Sequence, residues 1–306
     1  MEYEKLGLTD LVISRIGFGC WAMGGSRGAT VDDHNSIRAV HEALNSGINF
    51  FDTADVYGFG HSEEILCKAL GNDRNQVVIA TKFGIKWDEN GNTSRDCSPA
   101  RVVEALEGSL RRLKLDCMPL YQIHWPDPKT DISSTMDALK KAQEAGKIRY
   151  IGCSNFPPHM IREVAAIARI ESVQVPYNVV DRSIEKEMLS LCKEYQFGVL
   201  VYSPLAQGVL SGKYTYGTRF KEDDFRSNSD NFQGATYSRN LSMAEKMKKI
   251  GIPHGKSPSQ VAIRWVLDNP HITCAITGIR KPAQITENIG ALHWHLSDED
   301  RKFLSI

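Results

Sequence analysis

Short apolar runs alternate along the chain with longer stretches in which apolar residues recur every three to four positions, the pattern of strands alternating with amphipathic helices. The strand-like runs are 16–20, 48–52, 77–82, 117–124, 148–153, 172–176, 197–203 and 273–278. The helical patterns are 32–46, 62–70, 98–113, 132–145, 158–168, 185–195, 257–268 and 282–293. Asp32, Ser62, Ser98 and Ser257 stand where N-caps belong, and Pro99, Pro158, Pro258 and Pro282 suit first turns, where a missing N–H is harmless. Gly47, Gly71, Gly146 and Gly251 stand where helices end. Eight strand–helix repeats predict one domain over residues 1–306, a (β/α)8 TIM barrel of the α/β class. The rival doubly wound sheet would carry G-x-G-x-x-G after its first strand, and Gly17-Phe18-Gly19-Cys20-Trp21-Ala22 lacks the third glycine.

Composition narrows the ligand more than the fold. With 306 residues, 42% of them hydrophobic, the chain can build a large core. Its 37 Lys plus Arg balance 37 Asp plus Glu, which argues against a nucleic-acid footprint or a polybasic membrane patch and leaves a small-molecule ligand. The start, Met1-Glu2-Tyr3-Glu4-Lys5, lacks the build of a signal peptide, and no apolar run is long enough to span a bilayer, so a soluble cytoplasmic protein is expected. Seven cysteines without a C-x-x-C pair are expected to be reduced core residues.

A barrel gives the scattered polar residues a common address, because active sites of this fold lie at the C-terminal ends of the strands. Asp52 ends the second run, Tyr57 follows in its loop, Lys82 ends the third run and His124 the fourth. Singly, each has an ordinary explanation: a capping carboxylate, a turn residue, a solvated strand end, a core histidine. Together at successive strand ends they describe proton delivery to an oxygen gaining negative charge. A phenol with a pKa of about 10 is a poor acid near neutrality, but Lys82 could stabilise the phenolate, and Asp52 could hold Lys82.

The segments Ile16-Gly17-Phe18-Gly19, Asp52-Thr53-Ala54-Asp55-Val56-Tyr57-Gly58, Ser62-Glu63-Glu64, Thr81-Lys82, Ile151-Gly152-Cys153-Ser154-Asn155-Phe156 and Tyr202-Ser203-Pro204-Leu205 extend the reading. In these the chain resembles the aldo-keto reductases, specifically the short-loop bacterial-type enzymes related to the potassium-channel β subunits. The resemblance implies a catalytic tetrad of Tyr57 as the acid, Lys82 and Asp52 lowering its pKa, and His124 positioning a carbonyl. It also implies NADP(H), bound extended across the barrel mouth without a Rossmann fold. Ser154, Asn155 and Gln174 would hold the carboxamide and Tyr202 would stack on the nicotinamide, beside Trp21. The seventh loop, with Ser203, Leu205, Gln207, Gly208, Leu210, Gly212 and Lys213, would approach the pyrophosphate. Gly278, Arg280, Gln284, Glu287 and Asn288 would hold the adenosine half, with Arg280 on a 2′-phosphate, so that NADPH is favoured over NADH.

The implied activity is NADPH-dependent reduction of an aldehyde or ketone, with no metal. Trp21, Trp87 and Trp125 follow the first, third and fourth runs and could wall an apolar carbonyl pocket. Trp265 reads as core, and His293-Trp294-His295 as packing rather than a metal site. The polar segment 213–241 either folds over the cofactor or is a surface insertion. Two other readings of the barrel stand: a cofactor-binding sensory or partner-docking module with slow turnover, and a lyase using Lys82 as a Schiff-base lysine.

Overall fold

The computed structural model describes residues 1–25, 31–222 and 224–305. Eight parallel strands close into a barrel: β1 (Ile16–Gly19), β2 (Phe50–Asp52), β3 (Val78–Phe83), β4 (Met118–Ile123), β5 (Ile148–Ser154), β6 (Ser172–Pro176), β7 (Gly198–Tyr202) and β8 (Cys274–Gly278). Each strand pairs with its successor and β8 returns to β1, with Ala275 opposite Ile16. The TIM barrel expected from the repeats is therefore the fold.

Alternation along these strands sorts side chains into two cores. Phe50, Ala80, Leu120, Leu200, Cys274 and Ile276 fill the interior, while their neighbours Phe51, Ile79, Tyr121, Val199, Val201 and Ala275 face the helices. An N-terminal hairpin, Tyr3–Lys5 with Val12–Ser14, adds buried Leu6, Leu11 and Ile13 to the inner core. Its strands are too short, and its paired residues too polar, to show as a run. Register then decides what reaches the mouth: Asp52 lies level with Gly19 and Ala80, Lys82 with Gln122, and Ser154 with Gln174.

Asp32, Ser98 and Ser257 cap their helices by accepting the backbone N–H groups of Asn35, Arg101 and Gln260. Ser62 does not. Its helix starts at His61, behind left-handed Gly60, and the buried Ser62 hydroxyl donates to the Cys20 carbonyl. Gly47, Gly71 and Gly146 take the positive φ of a helix end, but Gly251 has φ −69° and is the last helical residue. A Cβ there would collide with the Lys256 carbonyl oxygen, and Gly255, at φ +62°, makes the turn instead. The pattern 185–195 divides into a 3-10 turn at Ser183–Glu185 and a helix at Met188–Tyr195.

The segment 213–241 is more ordered than its composition suggests. Turns at Phe225–Asn228 and Asp230–Phe232 lead into a helix, Gly234–Gly251, whose buried face includes Tyr237, Asn240, Leu241, Ala244 and Met247. Glycine at its start and asparagine within its buried face hide it from the pattern. After β3 a second hairpin, Ile85–Trp87 with Thr93–Arg95, stands beside the mouth. Trp265 is buried against Tyr177, as expected of core. All seven cysteines are free, and among the described residues no helix is long and apolar enough to cross a membrane.

Candidate active site

Asp52 is the last residue of β2, Lys82 lies one residue from the end of β3, and His124 follows β4 directly. Lys82 is fully buried, with Nζ donating to Asp52 Oδ1 at 2.6 Å and to the Thr53 carbonyl at 2.9 Å. The same ammonium stands 5.2 Å from the centroid of the Tyr57 ring, and that ring meets His124 edge to face, centroids 5.6 Å apart. The four residues placed at strand ends by the sequence thus share one site.

Asp52 is held by more than the lysine. Gln174 on β6 donates to its Oδ2 at 2.7 Å and Gln122 on β4 at 3.3 Å, so a buried carboxylate meets one ammonium and two amides. Burial pushes the Lys82 ammonium down, but Asp52 and Tyr57 beside it hold it above its ordinary value. An ammonium so held is a poor Schiff-base nucleophile, which must be neutral to attack. His124 is pushed well below its ordinary value by burial and by Lys82, so the imidazole is neutral near pH 7.

Tyr57 departs from one expectation. Burial raises the phenol, Lys82 draws it back and Asp52 raises it again, leaving it above its ordinary value rather than below. The lysine offsets burial without overcoming it, so the protonated phenol is the resting form. Tyr57 opens a tight turn, Tyr57–Gly60, that packs backbone to backbone on the short helix Trp21–Gly24. A Cβ on Gly24 would lie 2.5 Å from the Tyr57 carbonyl carbon, and one on Gly58 would lie 2.8 Å from Gly24 Cα.

The candidate nicotinamide residues are wired to these groups. Asn155, at φ +64°, donates to the His124 carbonyl at 2.9 Å and to Ser154 Oγ at 3.0 Å, while the Tyr202 hydroxyl donates to Asn155 Oδ1 at 2.8 Å. Through Gln174 the same wall reaches Asp52. The seventh loop is kinked, with Ser203, Ala206, Gln207, Gly208 and Gly212 all at positive φ. Leu205 packs partly buried and Leu210 fully buried, and Lys213 lies exposed over Tyr214. Gln207 is engaged, its Oε1 accepting from Ser229 and Asn231 of the segment that crosses over it.

Beyond β8, exposed Gly278 and Arg280 lie where the adenosine half is expected, but Gln284 and Glu287 are engaged. Gln284 Oε1 accepts the N–H groups of Arg280 and Lys281, and Glu287 accepts from Ser257 Oγ. Asn288 is buried. Contact of Gln284 and Glu287 with an adenine would require exchanging these bonds, because they have already claimed the acceptors. Trp21 is 41% exposed and meets Phe225 edge to face; Trp87 tilts on Phe59, and Trp125 lies under Arg95. His293 and His295 pair with Glu2 and Asp268 respectively.

Chain order gave no signal for Gln122, Phe225 or the buried pair Asp55–Arg101, because each acquires its role only by contact across elements. A nicotinamide cofactor fits what is present: an aromatic ring braced by an amide, a kinked loop, an exposed cation past β8, and His124 Nδ1 and Gln122 Oε1, buried without partners.

Residues 15–304 match the model of the Aldo/keto reductase family, and the chain belongs to that family. It is an oxidoreductase of aldehydes and ketones, as the resemblance implied. Its relatives include aldo-keto reductase YhdN of Bacillus subtilis, 39% identical over 99% of this chain and 92% of that one. Aldo-keto reductase yakc [NADP(+)] of Schizosaccharomyces pombe is 36% identical over 94% and 86%. The NADH-specific methylglyoxal reductase of Escherichia coli is 34% identical over 98% and 96%. Among solved structures, the glycerol dehydrogenase AKR11B4 from Gluconobacter oxydans superposes with a TM-score of 0.92 at 39% identity, covering 99% of this chain and 93% of that one.

Proposed function

We propose that the chain reduces small aldehydes or ketones, with Tyr57 as the proton donor of a tetrad completed by Asp52, Lys82 and His124. The observation carrying this reading is the fully buried Lys82–Asp52 pair beside the Tyr57 ring and a neutral His124. NADPH, when bound, supplies the hydride that reaches the carbonyl carbon. The Tyr57 hydroxyl gives its proton to the carbonyl oxygen as negative charge develops there, and Lys82 stabilises the phenolate left behind. Asp52, braced by Gln122 and Gln174, keeps Lys82 charged and in place. His124, being neutral, can orient the carbonyl by a hydrogen bond without competing for the proton.

Asn155, Ser154 and Gln174 are assigned to the carboxamide and Tyr202 to stacking on the ring, which fixes one face of it toward the tetrad. Arg280, exposed and in the neighbourhood of Asp224, is assigned to a 2′-phosphate and hence to preference for NADPH. Trp21, Trp87 and Trp125, with Phe225, are assigned to the substrate walls. Free thiols and a nicotinamide cofactor fit work in the cytoplasm.

The test is oxidation of NADPH by an aldehyde panel in the native enzyme and in Tyr57→Phe. Turnover is expected to fall by roughly 10²–10⁴-fold in the variant with NADPH affinity kept within about twofold. Unchanged turnover would remove Tyr57 from the chemistry.

A further inference from the structure

We propose that Arg101 is a positioning residue that fixes the turn carrying Tyr57 and the Trp87 wall of the carbonyl pocket as one unit. The inference rests on the reading of Tyr57 as the acid. Arg101 lies in the first turn of the helix Pro99–Leu113 and is 7% exposed. Its Nη2 donates to Asp55 Oδ2 at 2.5 Å and to the Ile85 carbonyl at 3.4 Å, its Nη1 donates to Glu104 at 3.2 Å, and its guanidinium lies 5.1 Å over the Trp87 ring. Trp87 in turn tilts on Phe59, ring centroids 5.6 Å apart.

Asp55 stands two residues before Tyr57 and Phe59 two residues after, so Arg101 grips the acid's turn from both sides, directly on one and through an indole on the other. Ile85 and Trp87 belong to the hairpin beside the mouth, which the same guanidinium ties down. A planar fork that reaches two acceptors while stacking on an aromatic face is work for arginine and not for lysine.

The anchor is sensitive to protons. Burial pushes the Asp55 carboxyl up to about 7, against the pull of Arg101 and of Arg112 and with the repulsion of Glu63. The other groups around it are accounted for: Glu63 is bonded to Arg112 and Thr81, the Tyr121 hydroxyl stays protonated, and the Asp55 backbone N–H donates to the Lys82 carbonyl. Protonation of Asp55 removes the charge that holds Arg101, so the acid and the wall should loosen together as pH falls through about 7.

The test compares native enzyme, Arg101→Met, Arg101→Lys, Asp55→Asn and Tyr57→Phe with 4-nitrobenzaldehyde and NADPH across the pH range from acid to alkaline. A merely structural staple would lower the Tm of Arg101→Met and leave its kcat/KM intact. Positioning predicts at least a tenfold loss of kcat/KM for the aldehyde, NADPH affinity within twofold, and partial recovery in Arg101→Lys. It also predicts an acid limb near pH 7 in the native enzyme that is absent from Asp55→Asn, a variant of unchanged shape that carries the test should Arg101→Met fail to fold. Native kcat/KM in Arg101→Met, or the same acid limb in Asp55→Asn, would overturn the proposal. Should either occur while Tyr57→Phe is inactive, the positioning role alone fails; full turnover in Tyr57→Phe would fell the acid assignment beneath it.

Discussion

The two sides of the barrel mouth are built on opposite plans. Asp52, Lys82 and His124 stand on strand ends or against them, all buried, and Asp52 takes contacts from three other strands. The side assigned to the cofactor's phosphates and adenosine hangs on loops: a kinked seventh loop, a crossing segment at 224–233 and exposed Arg280, with Gln207 and Gln284 bonded to other residues of the protein. Proton chemistry tolerates little error in position, and the register of hydrogen-bonded strands supplies that precision before any ligand arrives. A large ligand that must also leave is better served by contacts that can be exchanged.

The contrast can be broken most forcefully at Lys82. In Lys82→Met the buried Asp52 carboxylate loses its counter-charge, and a loss of about 3–5 kcal/mol in unfolding free energy is expected by denaturant titration, together with loss of turnover. A variant as stable as the native protein would show that the two glutamines alone satisfy Asp52. On the loop side the expected pattern is reversed. Arg280→Ala should leave stability within about 0.5 kcal/mol, as for exposed positions generally. It should weaken NADPH binding by roughly 10-fold or more while leaving NADH unchanged, the weight of a charged hydrogen bond of about 1.5–3 kcal/mol. Equal effects on the two cofactors would detach Arg280 from the 2′-phosphate; the relatives named for NADP(+) and for NADH make that comparison worth measuring.

A smaller effect sharpens the picture of the strand side. Asp55 keeps its proton up to about pH 7 in the fold, against 3.8 for the ordinary group. A carboxyl raised in this way weighs against the folded state increasingly from about pH 4 and fully above pH 7. Relative to the native protein, the Tm of Asp55→Asn should therefore climb as pH rises through that window, and a difference independent of pH would mean that burial does not control this carboxyl.

How much was legible follows the same division. Apolar runs placed all eight strands to within about two residues, because a strand buried on both faces is apolar throughout and leaves few other ways to be read. Asp52, Lys82 and His124 were legible because each is the polar residue at the end of such a run. Gln122 was hidden inside the run of β4, where only the register with Lys82 shows what it faces. Asp55 and Arg101 lie 46 residues apart in sequence, and nothing local pairs them. Phe225 sits in a polar stretch, and its contact with Trp21 comes from how residues 224–233 cross the mouth. Ser62 and Gly251 were misread for a shared reason: residue type marks helix ends on average, but here a buried hydroxyl and a close backbone approach chose them.

The paired glycines at 24 and 58 set a boundary on inheritance. Descendants of this chain can trade side chains such as Trp21 and Phe225, whose rings meet edge to face. No such latitude exists where the helix Trp21–Gly24 lies against the turn of Tyr57, since even a methyl group at either glycine would drive into backbone. Diversification is thus channelled toward such side chains, while the turn that carries Tyr57 is handed on in place.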